Sequence, residues 1–228
     1  MIELRNVSAL TPGLLHRQPI VWDASVRFES RERVGILAMP GSGKSTLARL
    51  LAGIDQPDRG TVLSEGRVSW PIGFAGFLHP EISVRANLET FARLVGMTPR
   101  AVTTFCEDFV GIDGLPGMVM KQLTPTQRAI LAYACALAVP GPATWIADEV
   151  ISVGENQHRQ RCNEVLTERL TEGGLIFLSR SPRLLRAWCD RFLVLIDRRL
   201  IPCEDVDVAQ GALELDARDR NAMGRGAA

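Results

Sequence analysis

The sequence has one tyrosine, Tyr133, three histidines, and five cysteines at 106, 135, 162, 189 and 203 with no CxxC spacing. An odd set of widely spaced cysteines excludes a fully paired disulfide framework and a zinc ribbon, and suits a reducing compartment where thiols pack as small apolar residues. Long apolar runs are missing too. The longest without a charge, Ile130 to Pro140, is too short to cross a bilayer. Met1-Ile2-Glu3-Leu4-Arg5 does not read as a signal peptide. No direct membrane span is expected, only attachment through a partner. Charge of one sign is lacking as well: 26 basic and 26 acidic residues give a formal net charge of zero, and no nucleic-acid partner is expected. What is present is a 228-residue chain that is 46% apolar, enough for one large domain with a substantial core.

Along the chain, β segments are expected at 2–7, 20–28, 33–37, 61–64 and 67–70, with a helix over 45–53 between the third and fourth. A Gly-rich stretch, Gly73 to Glu81, leads into a helical region near 84–138, with helices at 84–96, 99–110 and 125–138. Strands at 144–147, 175–178 and 192–196 then alternate with helices at 155–171 and 183–189. From Asp205 a short helix is expected to fade into a disordered tail over 211–228. The layout predicts an α/β P-loop NTPase core with an antiparallel β subdomain and an α-helical insertion, occupying residues 1–210. Apolar-run strands predict helices on both faces of the central sheet.

The most informative stretch is Ala38-Met39-Pro40-Gly41-Ser42-Gly43-Lys44-Ser45-Thr46, between the apolar run 34–37 and an apolar-periodic helix. This is the strand–loop–helix context of a P-loop. Gly41 and Gly43 let backbone N–H groups curl around a phosphate. Lys44 would reach the β- and γ-phosphates, Ser45 would bind Mg²⁺, and the helix would point its positive end at the anion. The candidate ATP cradle is Ala38, Pro40, Gly41, Ser42, Gly43, Lys44, Ser45 and Thr46, with Ala38 standing where such loops begin with glycine.

A second anchor is Thr144-Trp145-Ile146-Ala147-Asp148-Glu149, a short apolar strand ending in two carboxylates. Asp148 is the metal-side candidate, and Glu149 could polarise an attacking water. With both anchors in place the chain resembles the ATP-binding subunit of ABC transporters. It is most similar to those exporting capsular polysaccharide, O-antigen or teichoic acid. The likeness is carried by residues 54–60, 68–73, 77–87, 148–155 and 189–206, and covers about residues 1–210.

That resemblance implies two ATP sites in a head-to-tail pair, each combining one P-loop with the other subunit's signature loop. It also implies a separate membrane permease subunit and a place on the cytoplasmic side of the inner membrane. His79 is then read as the Q-loop position, and the groove of Phe74, Phe77 and Leu78 as a permease contact or an ordinary loop closing over the core. The signature loop is Leu123-Thr124-Pro125-Thr126-Gln127. Thr124 could bond a γ-phosphate across the pair and could equally be a helix cap with proline at the first helical position. Pro125 removes one N–H donor. Arg180 stands where the family has a switch histidine, and can offer charge to phosphate but not a neutral imidazole. No aromatic falls at residues 9–11 to stack on adenine, which leaves an aliphatic surface or His16. The expected function is an ATPase subunit energising export of a capsule-type glycan, catalytic residues Lys44, Glu149 and Arg180. The alternative is a regulatory subunit that binds ATP but barely hydrolyses it, paired with an active ATPase. Homodimer and heterodimer are both open.

Overall fold

A computed structural model describes residues 1–13 and 17–225, with side chains through Arg218. Two sheets enclose a helix. The first is antiparallel in the order β2-β1-β4, built from β1 (Ile2–Leu10), β2 (Pro19–Phe28) and β4 (Arg59–Ser64). The second has the order β5-β6-β3-β7-β8. It contains β3 (Arg33–Leu37), β5 (Thr144–Asp148), β6 (Gly174–Ser179), β7 (Arg191–Ile196) and β8 (Arg199–Cys203), parallel except for the β7–β8 hairpin. Helix α1 (Lys44–Leu51) lies between the sheets, where Leu47, Ala48, Leu50 and Leu51 join Ile2, Leu4, Val34 and Ile36 in one core.

The other face of the parallel sheet packs against the helical layer. That layer is α2 (Val84–Leu94), α3 (Pro99–Val110) and α4 (Pro125–Ala138), followed in the chain by α5 (Asn156–Arg169) and α6 (Pro182–Trp188). Helix α4 is buried almost throughout from Ile130 to Ala138, which explains why its sequence is apolar on all sides. The apolar run that begins at Ile130 is therefore the centre of a core, and among the described residues no helix is long and apolar enough to cross a membrane.

Three expectations change. Residues 67–70 form no full strand; Val68 and Ile72 make single bridges to Thr144 and Ala147 beside β5. Strand β8 was not expected. Its Pro202 is tolerated because β8 is an edge strand with one unpaired side. Beyond Asp205 the chain continues as α7 (Val206–Arg225) instead of fading, because Val206, Ala209 and Leu213 recur at helical spacing and are buried. The cysteines behave as packing residues: Cys106, Cys135, Cys162 and Cys189 are buried free thiols, and Cys203 is half-buried.

Candidate functional site

In the parallel sheet, β3, β6 and β5 are neighbours, so their C-terminal ends deliver three loops to one edge. Strand β3 leads into the P-loop, β5 ends at Asp148-Glu149, and β6 ends at Ser179-Arg180. Crevices at such strand ends are where open α/β sheets bind ligands. Pro40, Glu149, Ser179, Arg180, Ser181 and Leu184 line an open hollow there.

The P-loop geometry follows from its glycines. Gly41 and Gly43 have φ of 79° and 91°, a left-handed region that side chains resist. At Gly43 space is also decisive: an added β-carbon would sit 2.3 Å from Ile20 Cγ2. Ala38, by contrast, is buried with φ outside that region, so its methyl group is accommodated. The α1 N-terminus carries no side-chain cap, which leaves its first N–H groups for an anion. Lys44 is buried, donates to the Ala38 and Met39 carbonyls at 3.3 and 2.8 Å, and pairs with Glu149 Oε1 at 3.1 Å.

Glu149 is fixed from several sides. Its other oxygen accepts from Ser179 Oγ at 3.0 Å and from the Arg180 N–H at 3.2 Å. Its own N–H donates to the Leu178 carbonyl at 2.8 Å, and its φ is 59°. Strain of this kind persists only where surroundings over-determine it. Ser179, fully buried, is the site residue that sequence reading missed; its signal was a lone hydroxyl ending an apolar strand.

Asp148 sits deeper. Burial pushes its carboxyl above the usual range, opposed by the Ser45 hydroxyl; the Glu149 charge raises it further, while Lys44 and Arg49 lower it. Its Oδ1 is buried with no hydrogen-bond partner. An orphaned carboxylate oxygen beside a serine hydroxyl is a donor set that fits a hard divalent cation such as Mg²⁺.

The remaining candidates separate. Thr124 caps α4: its hydroxyl accepts from the Gln127 N–H at 3.2 Å, and Gln127 Oε1 accepts from the Thr124 N–H at 2.8 Å. Its cap reading is thus realised. Thr46 Oγ1 accepts from the Arg49 guanidinium at 3.2 Å, and Arg49 also pairs with Asp55. The Arg180 side chain is exposed beside the hollow.

His79, read as the Q-loop position, is tied to α2 (Val84–Leu94) through Asn87: its N–H donates to Asn87 Oδ1 at 2.7 Å, its carbonyl accepts from the Asn87 amide at 3.0 Å, and its Nδ1 accepts from the Glu81 N–H. The residue that abuts the loop after Glu149 is Gly73, where a β-carbon would meet Val150 at 2.9 Å. Nor is the Phe74–Phe77 groove bare. Both rings pack on Trp70 at 5.8 and 5.4 Å, and Phe77 packs on Phe91 at 4.8 Å, closing a cluster over the core. Of the two surfaces left for adenine, His16 lies outside the described residues, and Ile20, packed beside Gly43, is buried.

Comparison with known proteins shows the family. Residues 21–152 match the ABC transporter family model, and the chain belongs to that family. It is 32% identical over 209 residues to the ATP-binding protein BexA of Haemophilus influenzae, covering 92% of this chain and 96% of the relative. It is 30% identical, with the same coverage, to the capsule polysaccharide export ATP-binding protein CtrD of Neisseria meningitidis serogroup B. Among solved structures it resembles the dimeric post-hydrolysis state of the ATP-binding cassette MJ0796 bound to ADP and Pi. The TM-score there is 0.71 at 18% identity, covering 90% of this chain and 99% of that one, and the likeness is one of fold.

Proposed function

We propose that the chain is the ATP-hydrolysing subunit of an ABC transporter that exports a capsule-type polysaccharide through a separate membrane permease. The observation that carries the reading is the joint placement of Lys44, Ser45, Asp148 and Glu149 at one sheet edge. The relative CtrD, matched over nearly its whole length, is named for capsule polysaccharide export and suggests the export direction and substrate class.

In this reading the P-loop N–H groups and Lys44 bind the β- and γ-phosphates, and the ammonium exchanges Glu149 for phosphate oxygens. Glu149, held by Ser179 and the Arg180 N–H, accepts the proton of the attacking water. Ser45 and Asp148 would hold Mg²⁺, which neutralises phosphate charge when bound. Arg180 offers a fixed positive charge where charge develops on the γ-phosphoryl group. Thr124 approaches the partner copy's nucleotide with its hydroxyl already engaged in the cap. Two ATP-binding subunits pair, and the pair attaches to the inner membrane from the cytoplasmic side through the permease. For that contact the hollow between Gly53-Ile54, Val68-Trp70 and the 63%-exposed Leu94 serves better than the filled aromatic cluster.

The test is Mg·ATP binding and turnover by the purified protein, with Lys44→Ala and Glu149→Gln. Binding lost in the first and turnover lost in the second, by about a hundredfold or more for a missing general base, supports the reading. Binding without turnover in the unaltered protein moves the chain to the regulatory alternative.

A further inference from the structure

Helix α4 carries the chain's one tyrosine, fully buried, at a position where a phenylalanine would fill the same volume without burying a hydroxyl. The Tyr133 ring stacks on Phe109 with centroids 6.0 Å apart. Its hydroxyl donates to the Ile151 carbonyl at 2.8 Å and lies 3.3 Å from the Cys162 carbonyl. Ile151 is two residues beyond Glu149, in the loop joining β5 to α5, and Cys162 is in α5. One hydroxyl thus ties the helical layer both to the segment that carries the hydrolytic carboxylate and to the helix that follows it.

Other contacts make the two bodies it joins stiff. On the sheet side, Glu149 is bonded to β6 through Leu178 and Ser179. On the helical side, Arg161 of α5 bonds the Asp108 carbonyl and carboxylate at 2.8 and 2.6 Å and lies over the Phe109 ring at 5.1 Å. His158 lies 3.4 Å from the Val110 carbonyl. The loop 150–155 between these bodies begins at a strained Glu149 and includes Gly154 at φ 82°. Its path is set by what holds its carbonyls. From Tyr133 back to the Thr124 cap is nine residues of helix, about 13 Å, so a shift of α4 at its capped end is carried to Ile151.

Resting on the assignment of Glu149 as the water-activating carboxylate, we propose that Tyr133 is a positioning residue that sets the placement of Glu149 through the Ile151 carbonyl and couples it to the helical layer. Burial pushes the phenol well above its ordinary range, so it stays a donor at every working pH.

The test is Tyr133→Phe, which removes one oxygen and keeps the ring. The expected result is a folded protein with ADP affinity within about twofold of the unaltered chain and an unchanged KM for ATP. Its kcat falls about tenfold, the rate equivalent of one buried hydrogen bond. Amide exchange should rise across 150–155 and stay the same across the P-loop, 38–46. In a Glu149→Gln background Tyr133→Phe should add no further loss, since both act through the same group. An unchanged kcat, or losses that add to those of Glu149→Gln, would overturn the proposal. So would unchanged exchange at 150–155. If the unaltered chain binds ATP without turning it over, the hydrolytic reading fails, and the exchange comparison alone decides whether Tyr133 sets the loop.

Discussion

Two helices of this protein begin at loops that the family uses against phosphate, and they begin in opposite ways. The α1 N-terminus starts at Gly43, without a side-chain cap, its first donors free to meet an anion. The α4 N-terminus starts at Thr124 with both halves of a capping box closed and proline at the next position. Donors at the first end are available, whereas at the second Pro125 has none and the Gln127 N–H is taken by the cap. Capping is worth about 1 kcal/mol to a helix, so the α4 end has exchanged anion-binding capacity for local stability. In a pair of such subunits, each nucleotide would be held strongly by its own P-loop and weakly by the partner's α4.

The largest expected effect is at the open end. Lys44→Ala should lower ADP affinity by about a hundredfold, the loss of charge-assisted bonds to phosphate, read by calorimetric titration; a loss under threefold would break the contrast. Next is Gly43→Ala. It forces a left-handed φ on a residue with a β-carbon and drives that carbon into Ile20. It should cost about 1–2 kcal/mol from backbone strain alone and weaken ADP binding, whereas Ala38→Gly should leave both nearly unchanged.

At the closed end, Thr124→Ala should cost about 1 kcal/mol, a fall in Tm of about 2–4 °C for a chain of this size, with ADP affinity of the single subunit untouched. An equal loss of ADP affinity there would erase the distinction between the two ends.

The smallest effect, and the one of opposite sign, concerns Asp148. Its carboxyl is raised by burial, so the charged form is disfavoured in the folded state. This group's contribution therefore improves as pH falls through the raised value and worsens as pH rises above the unfolded one. Asp148→Asn should raise the Tm of the nucleotide-free protein at pH 7 by about 1–2 °C while removing the Mg²⁺ dependence of nucleotide binding. In the unaltered protein Mg²⁺-supported binding should weaken as pH falls and Asp148 takes up its proton.

The open end was legible in the sequence because its determinants are local: glycines, Lys44 and Ser45 lie within a few residues of one another. The Thr124 cap was legible for the same reason. Asp148 and Glu149 could be read from a five-residue strand. What could not be read are contacts made across the chain. Ser179 reaches Glu149 from thirty residues away, and Ile20 fills the space beside Gly43 from another sheet. The tie of His79 to α2 through Asn87, eight residues on, was likewise not legible. Strand β8 escaped notice because Pro202 and Arg199 disguise a pairing that only an edge position allows.

The packing of the thiols gives this protein a built-in label. Cys189 is pushed up to about 12 by burial and the Asp190 charge, and Cys106, Cys135 and Cys162 are buried free thiols. Maleimide added to the folded chain should therefore react at Cys203, on the edge strand beneath α7, and at no other cysteine. A dye placed there reports on the C-terminal face without any engineered residue. A count of labelled thiols rising from one to five would follow unfolding directly.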